Sequence, residues 1–382
     1  MVKKLNCALI GQAFMGKAHS NAYRQVGRFF ELPLDPVMYV VAGRNKETLP
    51  GFAERQGWQG WTANWRELLE DPEVDLVDVA TPNDVHREMS IGLLEAGKHV
   101  ACEKPLASTL GEAREMREAA KKNKKSKTFV WFNYRRVPAI ATAWQLIREK
   151  RLGKIYHVRA TYLQSWGGPD TPLLWRFKKK HAGTGAHGDL NAHIVDLARF
   201  LVGEEIVEVH GAIERTFIKQ RTIPGTKKKG RSDVDDAVLF LASFKGGATA
   251  SFEATRLAGG HLNDNTIEIN GELGSIRWNL ENLNELWFHD NTVDAREAGW
   301  KRIVATSADN HPYSSAWWPD GHILGYEHTF TNQLADIVKV LGRKKPAVPL
   351  PDFEDAYQTQ RVLEAALIAA RERCAIRLSE VK

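Results

Sequence analysis

The sequence predicts an α/β protein whose N-terminal part is built on a doubly wound parallel sheet. Short, continuous apolar runs alternate with amphipathic segments over residues 5–137, which is typical of parallel strands covered by helices on both faces. A glycine-spaced turn follows the first apolar run directly. Beyond residue 150, hairpin turns join alternating strands instead, which indicates a mostly antiparallel sheet.

The first half supplies the elements of the parallel sheet. The predicted strands are residues 5–10, 37–42, 76–80, 99–103 and 128–132. The predicted helices are residues 15–26, 46–56, 84–96 and 108–123. Each apolar run is too short for a helix and each amphipathic segment is long enough for one, so the two patterns are distinguishable.

The second half supplies strands and two late helices. The predicted strands are residues 155–165, 205–217, 234–244 and 247–256, and the predicted helices are residues 325–341 and 354–373. Lys245-Gly246-Gly247 is a hairpin turn between two of these strands, and residues 270–274 form another. A chain of 382 residues exceeds one ordinary hydrophobic core, so two domains are expected.

Composition excludes several classes of protein. Apolar residues make up 43% of the chain and charged residues 26%, and no apolar tract could span a bilayer. The net charge of +6 comes largely from short lysine runs without interleaved aromatics, so no nucleic-acid partner and no membrane partner is expected. Three cysteines and no recognisable export signal at the N-terminus predict a cytoplasmic protein.

The first strand-to-helix turn carries a dinucleotide-binding pattern. Gly11, Ala13 and Gly16 have the spacing of the Gly-x-Gly-x-x-Gly fingerprint, with alanine in its second position. The first glycine permits a tight turn, and the third lets the helix pack closely on the strand. Phe14 and Met15 lie within the same turn. We therefore predict that backbone N–H groups at this helix start hold the phosphates of NAD or NADP.

The end of the second strand bears on the choice between the two cofactors. An aspartate there would bind the ribose 2′-hydroxyl, whereas a nearby arginine would accommodate a 2′-phosphate. This chain has Arg44 and no carboxylate at that point. NAD and NADP both stay open, with a slight preference for tolerance of NADP.

Two further strand ends supply candidate cofactor contacts. Thr81 and Asn83 follow the strand at residues 76–80, and His86 lies three residues later. Glu103 and Lys104 end the next strand, before a proline that cannot donate to a sheet. Ligands of parallel α/β sheets bind at these carboxyl ends. The alternatives are an ordinary helix cap for Asn83 and a surface ion pair for Glu103 and Lys104.

Taken together and in this order, these motifs resemble the glucose–fructose oxidoreductase/inositol dehydrogenase (Gfo/Idh/MocA) family. Asn133-Tyr134-Arg135 is similar to the crossover of that family into a second domain, and residues 185–196 are similar to its second signature. The resemblance implies a Rossmann domain over residues 1–137. It also implies a substrate-binding and oligomerisation domain over residues 138–382, with a large, mostly antiparallel open sheet. One face of that sheet would pair subunits into a homodimer or homotetramer. Asn133 would contact the cofactor and Tyr134 the substrate.

The resemblance also carries over a catalytic set, Lys104, Asp189 and His193. Asp189 and His193 are four residues apart, so a helix beginning after Gly188 would present both on one face. Histidine titrates near neutral pH and suits a general base for a hydroxyl proton. The alternative is a helix cap plus a structural histidine. No metal site is expected, because the chain lacks the paired Cys or His spacings of a zinc site.

Polar and aromatic residues suggest a polyhydroxylated ring as substrate. Tyr162, Gln164 and Trp166 alternate along a predicted strand and would share one face. Indole faces against C–H groups, with polar groups at the edges, suit such a ring. The other predicted substrate-binding residues are Trp175 and Arg176, together with His322 and Tyr326 on a loop expected to close over the ring.

The sequence thus predicts an NAD(P)-dependent dehydrogenase that oxidises a secondary hydroxyl of a sugar, anhydrosugar, glycoside or cyclitol to a ketone by hydride transfer. One alternative is an NAD-dependent glycoside hydrolase or lyase that uses transient oxidation and elimination. Another is a non-catalytic dinucleotide-sensing regulator, because a fold alone does not fix a function.

Overall fold

The computed structural model describes residues 2–382. The strands are β1 (Lys4–Ile10), β2 (Asp35–Ala42), β3 (Gly60–Thr62), β4 (Leu76–Val79), β5 (His99–Cys102), β6 (Thr128–Val130), β7 (Ile155–Leu163), β8 (Ile206–Arg215), β9 (Gln220–Thr222), β10 (Lys229–Arg231), β11 (Ala237–Phe244), β12 (Thr249–Thr255), β13 (Asp264–Gly271), β14 (Gly274–Asn279), β15 (Glu285–Asp290), β16 (Trp300–Val304) and β17 (Ile376–Arg377).

The α-helices alternate with the strands in the first half and cluster late in the second. They are α1 (Phe14–Phe29), α2 (Leu49–Gln56), α3 (Glu67–Glu70), α4 (His86–Glu95), α5 (Leu110–Lys122), α6 (Pro138–Arg148), α7 (Lys179–Ala182), α8 (Ala192–Val202), α9 (Tyr326–Leu341) and α10 (Phe353–Glu372). A π-helical turn, His187–Asn191, leads directly into α8.

The first sheet confirms the predicted doubly wound parallel arrangement. Among the described residues it has six parallel strands in the order β3-β2-β1-β4-β5-β6. The strand order reverses between β1 and β4, and such a switch point opens a crevice at the carboxyl ends of the strands. The turn that starts at Gly11 and the tip that follows Cys102 both lie at this edge.

The predicted division into residues 1–137 and 138–382 differs from the grouping of contacts in the folded chain. The first compact unit contains residues 1–136 together with residues 312–319 and 324–357, and the second contains the remainder. Helix α9 packs against α1, and its Phe330, Leu334 and Ile337 belong to the same buried cluster as Leu9 and Val26. The apolar face of α9 therefore packs into the core of the first unit. Periodicity predicts the helix but does not identify the core against which it packs.

The second unit confirms the predicted large, mostly antiparallel sheet. Within residues 2–382 it has nine strands in the order β16-β15-β14-β13-β7-β12-β11-β8-β17. Only the β7–β12 pair in this sheet is parallel among the pairs described. Val158, Ala160 and Tyr162 of β7 are buried on alternate positions, and α8 packs against β7 and β13.

Several strands were not predicted from the sequence, namely β3, β9, β10, β15, β16 and β17. Three of them have only three residues, and β16 is mostly exposed with charged residues in its middle. Such segments become strands through pairing with a neighbour, which leaves little apolar periodicity in the sequence. No α-helix in the described part of the chain is long and apolar enough to cross a membrane.

Candidate active site

The glycine turn forms a close-packed cradle at the end of β1. Gly11 has a φ of +131°, and a Cβ there would lie 2.3 Å from the carbonyl oxygen of Ala80. A Cβ on Gly16 would lie 2.3 Å from the carbonyl oxygen of Gly11. Helix α1 begins at Phe14 after Ala13, whose methyl group cannot cap it. The first N–H groups of α1 are therefore available to an anion, so the cradle fits a pyrophosphate.

The residues around this cradle differ in exposure. Phe14 is 63% exposed, and Met15 is half-buried against the core of the first unit. Arg44 is exposed just beyond the end of β2, where the chain has no carboxylate. An exposed arginine at this point can reach a phosphate or stack on an adenine ring.

The end of β4 differs in part from the prediction. Asn83 opens a 3₁₀ turn, Asn83–Val85, and Val85 rather than Asn83 precedes the first residue of α4. The alternative that Asn83 caps α4 is therefore wrong, because the turn moves the helix start to His86. Thr81 Oγ1 donates to the sulfur of Met89 at 3.9 Å.

His86 is 0% exposed. Its Nδ1 lies 3.1 Å from the carbonyl oxygen of Pro105 and its Nε2 lies 3.0 Å from that of Thr81. Burial lowers the pKa of His86 below its usual value, so the ring is neutral at neutral pH. Both nitrogens face protein carbonyls, so a direct contact with the cofactor does not fit His86. The neutral ring has one N–H and donates to one of these two carbonyls, between the ends of β4 and β5.

The tip after β5 directs Glu103 inward. Glu103 is 4% exposed, and its backbone N–H donates to the carbonyl oxygen of Val79. One carboxylate oxygen accepts from the N–H of Lys104 at 3.0 Å, and the other lies 2.9 Å from Nε2 of His19. A surface ion pair is therefore the wrong description of Glu103. Lys104 is half-buried at the same edge of the sheet.

His19 is a site residue to which sequence reasoning assigned no role. It lies on α1 and is 0% exposed, with Nδ1 2.8 Å from a carboxylate oxygen of Asp78. Trp131 Nε1 donates to the other oxygen of Asp78 at 2.8 Å. A histidine three residues after the last glycine of the fingerprint was visible in the sequence. Its two carboxylate partners were not, because Asp78 lies on β4 and Glu103 follows β5, both far along the chain.

Asn133 and Tyr134 lie at the end of the first unit and are both buried. The Asn133 amide donates to Thr329 Oγ1 at 2.7 Å, which ties the crossover to α9. The Tyr134 ring lies 6.4 Å from the ring of Tyr326, the first residue of α9. Tyr326 is therefore on a helix, and the prediction that it shares a closing loop with His322 is wrong. Gly325 ends the loop and caps α9, whereas His322 is exposed in a segment grouped with the second unit.

Asp189 and His193 lie on a continuous helical segment, although not as predicted. Gly188 is inside the π-helical turn rather than before a helix, so Asp189 belongs to that turn and His193 to α8. The His193 ring is 5.8 Å from the ring of Tyr162 on β7. Asp189 Oδ2 accepts from Arg256 Nη2 at 2.8 Å. The Asp189 side chain is 26% exposed, whereas that of Arg256 is 2% exposed.

Predicted substrate residues of the second unit form one hydrogen-bonded group. Tyr162 O–H and Gln164 Nε2 both donate to Asn263 Oδ1, at 2.8 and 2.7 Å. Trp166 Nε1 donates to Gln164 Oε1 at 2.6 Å, so the predicted shared face is present. Sequence reasoning missed Arg256, which follows β12, and Asn263, which precedes β13. Neither residue belongs to a motif that would mark it as functional.

Trp175 and Arg176 lie on a short 3₁₀ turn in the same unit. The Arg176 guanidinium lies over the Trp175 ring, 4.5 Å from its centroid, and both residues are half-buried. This stack leaves an aromatic surface of the kind that contacts sugar rings. No group of three His, Cys, Asp or Glu side chains able to hold a metal occurs in residues 2–382.

Comparisons with known proteins agree with this arrangement. Residues 5–132 match the family described as "Oxidoreductase family, NAD-binding Rossmann fold". Residues 140–277 match "GFO/IDH/MocA C-terminal domain". The chain is 40% identical to a levoglucosan dehydrogenase of Pseudarthrobacter phenanthrenivorans over 97% of both chains. It is 31% identical to a scyllo-inositol 2-dehydrogenase (NAD(+)) of Bacillus subtilis, over 72% of this chain and 74% of the relative.

Solved structures extend the similarity to the whole chain. An oxidoreductase domain protein from Kribbella flavida has 48% identity and a TM-score of 0.94, and the match covers 98% of this chain and 99% of that one. A levoglucosan dehydrogenase in complex with NADH and L-sorbose has 40% identity, a TM-score of 0.94 and the same coverage of both chains.

The parallel sheet with its glycine cradle defines an oxidoreductase with an NAD-binding Rossmann domain. The larger open sheet of the second unit completes the two-domain type of such enzymes. The chain belongs to the Gfo/Idh/MocA family of oxidoreductases. The predicted family, fold class, enzyme class and NAD-type cofactor are thereby confirmed.

Proposed function

We propose that this enzyme oxidises a secondary ring hydroxyl of an anhydrosugar to a ketone with NAD, with levoglucosan as the first candidate substrate. The observation that carries this proposal is the 40% identity to a levoglucosan dehydrogenase over 97% of both chains. Relatives with lower identity or coverage are named for inositols and for 1,5-anhydro-D-fructose. The wider substrate class is therefore sugars, anhydrosugars, glycosides and cyclitols with a free ring hydroxyl.

Three side chains carry the proposed chemistry. His193 accepts the proton of the reacting hydroxyl, because imidazole is a good base near neutral pH. Asp189, one helical turn before His193 and partly exposed, stabilises the cationic imidazolium that forms when His193 takes that proton. Lys104 donates to the same oxygen and stabilises its developing negative charge. Gln164, Trp166, Trp175 and Arg176 supply the polar and aromatic contacts to the ring.

The cradle at Gly11, Ala13 and Gly16 fits the cofactor phosphates, since a side chain at either glycine would collide with backbone. Bound NAD supplies the hydride acceptor for the oxidation. Thr81 and Asn83, at the end of β4, line the same edge of the sheet. Arg44, in the absence of a carboxylate at the end of β2, supports use of NADP as well, although the relatives favour NAD.

A substrate panel tests this proposal. Levoglucosan, scyllo- and myo-inositol, 1,5-anhydro sugars and aryl glycosides are assayed with NAD and with NADP by absorbance of the reduced cofactor. We expect the highest kcat/KM for levoglucosan with NAD. Release of aglycone without net reduced cofactor would instead support the hydrolase alternative. Binding of dinucleotide without turnover of any substrate would support a regulator.

A substitution tests the role of Lys104. We expect Lys104→Met to abolish turnover while NADH binding, measured by fluorescence, changes only slightly. The control is Lys121→Met, because Lys121 forms a surface ion pair with Glu354 at 2.9 Å. Equal activity of both variants would contradict a catalytic role for Lys104.

We further propose a homo-oligomer built on the outward face of the second sheet. Ile213, Leu239 and Leu241 are 51%, 38% and 56% exposed on neighbouring strands β8 and β11. Apolar side chains exposed side by side are typical of a subunit interface. Leu241→Lys should shift the mass measured by light scattering to that of a monomer, and an unchanged mass would contradict this surface as the interface.

A further inference from the structure

His19 lies between two carboxylates in the interior of the first unit. Its Nδ1 is 2.8 Å from Asp78 Oδ2 and its Nε2 is 2.9 Å from Glu103 Oε1. The ring centroid lies 4.4 Å from that of Trp131 and 5.3 Å from that of Phe330. The His19 side chain is 0% exposed, so the packing shields it from bulk solvent.

The charge of this cluster follows from the two short contacts. A neutral imidazole has only one N–H, whereas two carboxylate oxygens lie within hydrogen-bond distance of its two nitrogens. Burial alone would lower the pKa of His19, but Asp78 and Glu103 outweigh it and raise the pKa to about 9. His19 is therefore an imidazolium at neutral pH and donates to both carboxylates.

Glu103 transmits this contact to the backbone of Lys104. The Glu103 oxygen that does not face His19 accepts the N–H of Lys104 at 3.0 Å. With its own N–H bonded to Val79, Glu103 is fixed at backbone and side chain together. The direction in which Lys104 leaves the strand tip thus depends on the orientation of one buried carboxylate.

We propose that His19 is a positioning residue for Lys104 and acts through the carboxylate of Glu103. This inference rests on the proposed function of Lys104. A side chain displaced by about 1 Å from its productive position can lose about 100-fold in rate. His19 and Glu103 therefore act on the reaction only through the placement of Lys104, and they connect the helix of the glycine cradle to the tip after β5.

The test compares three substitutions within the cluster. His19→Gln and Glu103→Gln each disturb the His19–Glu103 contact. In the first, one amide nitrogen cannot span two carboxylates, and in the second, an amide has one acceptor oxygen for the two donors His19 Nε2 and the Lys104 N–H. Asp78→Asn leaves that contact in place and removes only the far carboxylate. We expect all three to lower the melting temperature. We expect kcat to fall at least tenfold in the first two only, with NADH affinity measured by fluorescence close to that of wild type.

Trp58→Phe is the matched control for general damage to this core. Trp58 is buried and donates to Ser20, a neighbour of His19 on α1, without contacting Glu103 or Lys104. Its substitution should lower stability and leave kcat of the folded enzyme unchanged. The proposal is overturned if kcat falls in proportion to stability across all four variants, or if His19→Gln keeps the wild-type kcat.

The two proposals fail in different ways. If Lys104→Met keeps wild-type activity, the proposed function itself is wrong. If Lys104→Met is inactive and folded His19→Gln retains full kcat, only the positioning role is wrong. Should His19→Gln fail to fold, Glu103→Gln supplies the same comparison, because it changes the contact to Lys104 directly.

Discussion

Arg256 holds the carboxylate of Asp189. Its Nη2 donates to Asp189 Oδ2 at 2.8 Å, and its guanidinium lies 4.9 Å from the centroid of the Trp166 ring and 5.8 Å from that of Phe177. The arginine follows β12 directly, so the sheet fixes its backbone. A planar cation between an aromatic surface and a carboxylate loses little freedom on pairing, which makes it an effective positioning group.

We predict that Arg256→Leu lowers kcat/KM for the sugar by at least tenfold, because Asp189 loses both its orientation and its buried charge partner. Arg256→Lys should recover part of the activity, since lysine keeps the charge without the planar pair of donors. Steady-state kinetics with saturating NAD measures the effect.

The control for this series is Arg159→Leu. Arg159 pairs with Glu268 on the same sheet at 3.1 Å, but its side chain is 56% exposed. Surface pairs of this kind contribute little, so kinetics should not change. An Arg256→Leu enzyme as active as Arg159→Leu would contradict the role given to the Arg256–Asp189 pair.

The pH dependence of stability reports on His19. Asp78 on β4 and Glu103, just after β5, are the charged groups that face His19, and the Trp131 and Phe330 rings pack against it. The folded pKa of His19 is raised from 6.5 to about 9. A raised folded pKa adds stability that is complete below the unfolded value and is lost as pH rises through the folded value.

We therefore predict that the free energy of unfolding falls between about pH 6.5 and 9 by about 3 kcal/mol more in the wild type than in His19→Gln. The difference between the two proteins isolates His19 from thiols and tyrosines that titrate at higher pH. Urea unfolding at a series of pH values measures it. Parallel curves for both proteins would mean that His19 is not charged in the folded state.

The sequence was most informative where function depends on backbone. The glycine spacing at Gly11 and Gly16 and the proline after Lys104 leave strong local signals, because few residues satisfy those turns. Hydrogen-bonded pairs of buried side chains leave only weak local signals in the sequence. His19 meets residues 78 and 103, and Arg256 meets residue 189, so each pair joins distant segments that only the folded chain brings together.

The packing of α9, late in the chain, could not be predicted for the same reason. Periodicity predicted a helix over residues 325–341, yet not that Phe330 and Leu334 would complete the first core. An apolar helix face shows that a partner exists without identifying it.

Asn265 provides a prediction about stability. Residue 265 is 0% exposed on β13, opposite Tyr162 in the register with β7, and neither amide atom has a hydrogen-bond partner within residues 2–382. An unpaired buried amide destabilises the folded state. Asn265→Leu, of similar volume, should therefore raise the free energy of unfolding by about 1 kcal/mol, measured by urea denaturation.

The matched substitution is Asn332→Leu. Asn332 is equally buried, but it donates to the carbonyl oxygen of Arg136 at 3.0 Å and accepts from Trp317 Nε1 at 2.9 Å. Its loss leaves two partners unsatisfied and should lower stability by about 1–3 kcal/mol. If Asn265→Leu lowers the free energy of unfolding as Asn332→Leu does, the Asn265 amide is hydrogen-bonded in the folded protein in solution.

Gly16 and Gly27 lie on the same helix, α1. Comparing an alanine substitution at each distinguishes an effect on the cofactor cradle from the general effect of replacing a helical glycine. A Cβ at Gly16 would lie 2.3 Å from the Gly11 carbonyl oxygen, whereas a Cβ at Gly27 meets nothing within 4 Å. Gly16→Ala must push α1 away from the turn, so we predict at least a tenfold loss of NADH affinity in a fluorescence titration. Gly27→Ala should leave affinity unchanged and stabilise the helix by about 0.5–1 kcal/mol. Unchanged affinity in Gly16→Ala would mean that the close approach of α1 to the turn is not what binds the cofactor.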